Sequence, residues 1–138
     1  MAKITFVINE SQPNWQRMDY LSHLLLVWFR RDQLPIFCLT PNQTVSNSLD
    51  TALWNTQTPS FLPHCIGKVH DYPPQVYIGD DVSLGQGAQT IFNCRTTPLE
   101  PNGAQEYIEF RCSVDKDRLR KLYKTYQQQS HDLSFIRT

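Results

Sequence analysis

The chain has little of what most ligand chemistries require. It carries no excess charge: 13 Lys and Arg stand against 13 Asp and Glu over 138 residues, so the surface as a whole has no sign with which to draw in nucleic acid or an anionic membrane. Any electrostatic function is therefore local. The longest apolar run, Leu24 to Phe29, falls far short of the roughly 20 residues that span a bilayer. The opening MAKITFVINE lacks a charged segment followed by a cleavable apolar run. Together these features lead us to expect a soluble, cytoplasmic protein without membrane contact. Cys38, Cys65, Cys94 and Cys112 lie far apart with no C-x-x-C pair, which argues against a zinc knuckle or disulfide framework and for buried free thiols.

Glycine is also scarce, with 5 in all. Phosphate binding at the start of a helix needs a glycine-rich turn, because backbone amides must approach the anion. The turn after the first expected strand is Asn9-Glu10-Ser11-Gln12-Pro13, which has no glycine, and Glu10 repels phosphate. Gly85-Gln86-Gly87 follows a later segment and lacks the third glycine. We expect no nucleotide site and no cofactor. Asp80-Asp81 is one acidic pair without a second acidic strand to complete a two-metal site, so it reads as a solvated turn. His64, Cys65 and His70 have no further group at ligand spacing, so neither a metal nor a catalytic residue is expected.

What is present is an alternation of strand and helix signals in a length that suits one domain over residues 1–138. Lys3 to Ile8 is a β-rich run and reads as a central strand. Ser11 and Pro13 announce a helix, and Trp15, Met18, Leu21, Leu24, Leu25 and Trp28 recur at helical spacing up to Arg31. Pro35 to Leu39 reads as a strand and Ser46 to Trp54 as a short helix. Asn55 to Gln75 is a proline-rich, shaped loop that holds Phe61, Leu62 and Ile66. Three short strands are expected at Gln75 to Ile78, Gln89 to Asn93 and Tyr107 to Cys112, then a closing helix, Asp115 to Ser130. The tail from His131 is expected to pack back on the body. This order predicts an α/β fold, a Rossmann-like three-layer sandwich whose mostly parallel central sheet has helices on both faces, with the later strands added in mixed sense.

The closing helix carries the clearest functional signal. Leu119, Leu122 and Tyr126 share one face, Lys116, Arg120, Lys124 and Gln127 form a stripe on another, and Tyr123 lies on the border. Asp115 and Asp117 at its start suit the helix dipole. A tyrosine beside Arg and Lys suits an acidic peptide that ends in an apolar residue and a free carboxylate. The same helix also permits an alternative: a direct nucleic-acid binder with a phosphate track and stacking tyrosines.

Leu49-Asp50-Thr51-Ala52-Leu53-Trp54, followed by Ser60-Phe61-Leu62-Pro63-His64, resembles the L-D-x-A-L-W and S-F-[LV]-P-H signature of the chi subunit of bacterial DNA polymerase III holoenzyme. Leu122-Tyr123-Lys124-Thr125-Tyr126 resembles the Y-K-x-Y core of that family's last helix. The resemblance implies a non-catalytic accessory subunit in the replisome on the nucleoid, with nucleic acid reached only indirectly. Chi proteins bridge the psi subunit of the clamp loader assembly and the acidic C-terminal tail of single-stranded DNA-binding protein. By this likeness the psi-facing surface takes Trp54 and Phe61, with Leu62, Pro63 and His64 of the same signature. The tail site takes Arg120, Tyr123 and Lys124, with Lys116 and Gln127 on the same stripe. Some relatives also bring a repair helicase to the Trp54 and Phe61 surface. The family's stripe often has a further basic residue where this chain has Gln127. That absence weakens tail binding by about 1 to 3 kcal/mol in a desolvated site, or by under about 1 kcal/mol at an exposed rim.

Overall fold

A computed structural model describes residues 3–9, 17–31, 35–55, 64–67, 76–95, 103–112 and 116–137. Seven strands form one sheet: β1 (Lys3–Asn9), β2 (Ile36–Leu39), β3 (His64–Ile66), β4 (Val76–Gly79), β5 (Thr90–Asn93), β6 (Glu106–Cys112) and β7 (Asp132–Arg137). Their spatial order is β3-β4-β2-β5-β6-β1-β7, and every pairing is parallel. The expectation of later strands in mixed sense is thus corrected. Strand direction is set by how each connection crosses the sheet, and a short strand's own residues carry no mark of it.

Alternation along the strands divides the interior into two layers. Val7, Ile36, Cys38, Val76, Ile78, Phe92 and Ile108 pack beneath α1 (Arg17–Arg30) and α2 (Gln43–Asn55). The helices contribute Leu21, Leu24, Leu25 and Trp28 at i, i+3, i+4 and i+7, together with Leu49 and Leu53. Each such side chain contributes about 1.5 to 3 kcal/mol on burial. The other face holds Ile4, Phe6, Phe37, Leu39, Tyr77, Ile91 and Tyr107 beneath α3 (Lys116–Gln128), which supplies Leu122 and Tyr126. β2, β4 and β5 are buried throughout, which is why they read as unbroken apolar runs.

Three elements differ from the sequence reading. β3 lies inside the proline-rich stretch read as a loop, and its three residues are too few to show a period. β7 is the tail, which adds to the sheet beside β1, so that Ile4 pairs with Leu133 and Phe6 with Phe135. α2 begins three residues early because Asn42 Oδ1 accepts from Val45 N at 2.9 Å and caps it. Ser46 then sits one turn inside, its hydroxyl 2.6 Å from Thr40 Oγ1. Asp81 caps a short 3-10 helix, Val82–Gly85, by accepting from Ser83 N at 3.0 Å, and this backbone bond holds its carboxyl below the usual range.

Two carboxylates are buried in the sheet, one in each layer. Glu106 accepts from Thr5 Oγ1 at 2.8 Å and from Trp28 Nε1 at 3.0 Å, tying α1 to β1 and β6. Glu109 Oε1 accepts from Asn93 Nδ2 at 2.8 Å and from the Tyr126 hydroxyl, tying α3 to β5 and β6. These bonds fix the rotation of each helix about its axis, and so decide which side chains face outward.

Candidate docking surfaces

The anchoring of Tyr126 sets the outer face of α3. With Leu122 and Tyr126 against the sheet, Tyr123 falls at the margin, half-buried. There its ring lies 6.1 Å from Phe6 and 5.4 Å from Phe135. Phe6 and Phe135 stack at 5.2 Å, because their strands pair in register. The result is an aromatic ridge between α3 and β7, and Phe135 leaves 49% of its surface open. Positions 120, 124 and 127 fall at i, i+4 and i+7, within one arc that borders Tyr123, so the exposed stripe runs along the β7 side of the helix. Arg120, Lys124 and Gln127 are exposed along it, and Lys121 is exposed beside them. Lys116 opens α3, and its side chain lies outside the described residues.

This arrangement sets exposed cations beside an apolar, ring-lined ridge, the chemistry that takes a carboxylate next to an apolar side chain. From the sequence, Phe135 is only one apolar residue, with Leu133 and Ile136, of a tail expected to pack back on the body, and it has no place in the expected site. The alternation Leu133, Phe135 after the helix was the available signal, and it is recognisable as a strand only once β1 is known to have a free side.

The second surface gathers the two halves of the Leu49 to His64 signature. Leu49 and Leu53 face the core, while Asp50 and Trp54 lie one turn apart on the neighbouring side of α2. Both meet His64 on β3: Asp50 Oδ1 is 3.3 Å from His64 Nε2, and the Trp54 and His64 ring centroids are 5.0 Å apart. His64 has only 1% of its side chain exposed, so it supports Trp54 from beneath and presents almost no surface itself. Trp54 is 61% exposed, and Ile66, two residues along the same strand and so on the same face as His64, is 43% exposed. Phe61, Leu62 and Pro63 lie outside the described residues, as does His70.

The two surfaces stand at opposite edges of the sheet. β3 is first and β7 last in the strand order, and six interstrand gaps of about 4.8 Å place them about 30 Å apart. Between them, at the carboxyl ends of β2 and β5 where open parallel sheets bind ligands, protein groups span the crevice. Arg95 donates through Nε to Thr40 O at 3.3 Å and through Nη2 to Asp80 O, and Thr40 Oγ1 donates to Gly79 O at 3.3 Å. Among the described residues there is no group of three His, Cys, Asp or Glu that could hold a metal ion, and no helix long and apolar enough to cross a membrane. Among the described residues, Cys38, Cys65 and Cys94 form no disulfide; burial and the nearby Cys94 push Cys38 well above the usual thiol value.

The family model for the DNA polymerase III chi subunit, HolC, matches residues 1–134. Among curated proteins, none matches the chain.

Proposed function

From the premise that the chain belongs to the DNA polymerase III chi subunit family, we propose that it bridges the psi subunit of the clamp loader assembly to the acidic C-terminal tail of single-stranded DNA-binding protein. The observation that carries this reading is the separation of two unlike surfaces: an exposed tryptophan on one sheet edge and an aromatic ridge flanked by exposed cations on the other. An adaptor needs two sites that do not compete, and opposite edges of a rigid sheet provide them.

Psi docks around Trp54 and Ile66, with His64 and Asp50 holding the indole in place and Phe61, Leu62 and Pro63 completing the surface. A repair helicase uses the same patch, in competition with psi. The tail docks along the ridge between α3 and β7: Arg120 and Lys124 take its carboxylates, Lys116 extends the positive field, and Tyr123 with Phe135 receives the terminal apolar side chain. Gln127 is exposed, so its missing charge costs under about 1 kcal/mol. The chain itself does no chemistry and meets DNA only through its partners.

Calorimetric titration with an acidic, phenylalanine-ended peptide tests the tail site. Binding is expected at low salt, weakened as salt rises and by Lys124→Glu. No binding at low salt, or equal binding after removal of the terminal phenylalanine, overturns it. A mobility shift with an oligonucleotide alone, in the absence of any partner, favours the direct nucleic-acid reading instead.

A further inference from the structure

β7 has an open side. It pairs with β1, and among the described residues nothing pairs with its other edge. In a parallel ladder, successive residues turn their N–H and C=O to opposite sides, so every second residue of β7 offers an outward donor and acceptor. Natural edges are usually guarded by shortness, by proline, by a bulge or by a charge in mid-strand. The opposite edge strand, β3, has only three residues. β7 has six, Asp132-Leu133-Ser134-Phe135-Ile136-Arg137, with no proline, no glycine and charge only at its two ends. Its centre is Phe135, half open to solvent and in contact with Tyr123 of α3.

We propose that an acidic peptide docks here by strand addition, extending the sheet beyond β7 while its side chains reach the rings and cations along α3. The inference rests on the tail-docking reading and adds the mode of binding: outward backbone groups of β7 hydrogen-bond the peptide main chain. The terminal apolar side chain covers Tyr123 and Phe135, and carboxylates meet Arg120 and Lys124. Charge selects this occupant. Arg120, Lys121 and Lys124 are exposed, and among the described residues none lies within 4.0 Å of a carboxylate. A second copy of the chain, paired edge to edge, brings a second set of these cations to the same margin, which opposes self-association there.

The test uses the full chain and a series of acidic, phenylalanine-ended peptides, each N-methylated at one backbone amide, titrated at low salt. Amides that pair with β7 lose about three- to tenfold in affinity when methylated, and the intervening ones change little. Amide exchange measured by NMR then slows at alternate residues between 132 and 137 when the unmodified peptide is bound. Tolerance of methylation at every position, or an equal loss at every position, overturns strand addition while leaving the tail reading intact. Failure of the unmodified peptide to bind overturns both.

Discussion

Replacing Trp54 by alanine separates what the indole contributes to folding from what it contributes to docking. A tryptophan presents up to about 250 Å², and 61% of Trp54 is open in the free chain. A partner that covers it removes about 150 Å² from water, about 4 kcal/mol at about 25 cal/mol per Å², or nearly a thousandfold in affinity. The remaining two-fifths packs on His64 and contributes to folding at most about 2.5 kcal/mol, an upper bound because an unfolded chain already shields part of this area. Trp54→Ala is therefore expected to lower the melting temperature modestly while nearly abolishing association with psi. Phe at this position recovers part of both. Two measurements are needed: thermal unfolding of the free chain, and calorimetric or pull-down association with purified psi. A loss of affinity below about threefold, with the variant folded, refutes the assignment of Trp54 as an anchor. A stability loss larger than the loss in binding refutes the division of its surface.

Other expectations concern the interior. Glu106→Leu leaves Trp28 Nε1 and Thr5 Oγ1 without their acceptor and is expected to cost about 2 to 4 kcal/mol in urea unfolding. Glu106→Gln costs under about 1.5 kcal/mol, since an amide oxygen can accept from Trp28 while its nitrogen donates to Thr5; a glutamine variant less stable than the leucine variant refutes the network. Burial pushes the Tyr77 hydroxyl, which donates to Leu84 O at 2.7 Å, up to about 12, with Cys38 adding to the shift. Its folded value lies above the ordinary value near 10, so the stability it contributes is complete below about pH 10 and is lost as pH rises through about 12. Tyr77→Phe should flatten the fall of stability with pH in that interval, and an unchanged slope counts against it.

The amphipathic elements were legible because burial writes a period into the chain. α1 shows Leu21, Leu24, Leu25 and Trp28 on one stripe, and α3 shows Leu122 and Tyr126 against Arg120 and Lys124. The buried strands β2, β4 and β5 were equally clear as short apolar runs. β7 was not recognised, because an edge strand needs one buried face only and its partner β1 is more than a hundred residues away. The parallel core was legible from the early β-α-β alternation, whereas the sense of the later strands and the strand order were not, because they depend on where distant connections cross the sheet. The spacing within Leu49 to His64 was visible, but its cause was not: Asp50 and Trp54 are one helical turn apart because both must reach His64 across the α2 and β3 boundary. Phe135 was legible as an apolar residue of a tail that packs on the body, but not as a neighbour of Tyr123, because that contact exists only when helix and strand meet.

Placing the two surfaces on opposite margins gives the sheet a mechanical role. On the proposed bridging reading, a pull between the two partners would run across the strands, and the six ladders would carry it in series. The same tension therefore acts on each, and the one with fewest bonds yields first. That ladder is β3 against β4, where, among the described residues, His64, Cys65 and Ile66 are paired and Gly67 N donates to Ile78 O at 2.7 Å. Asp50 and Trp54 grip His64 from α2, so part of the load bypasses this weakest seam into the helix layer. The contacts that hold the indole in place also reinforce the joint through which it is pulled.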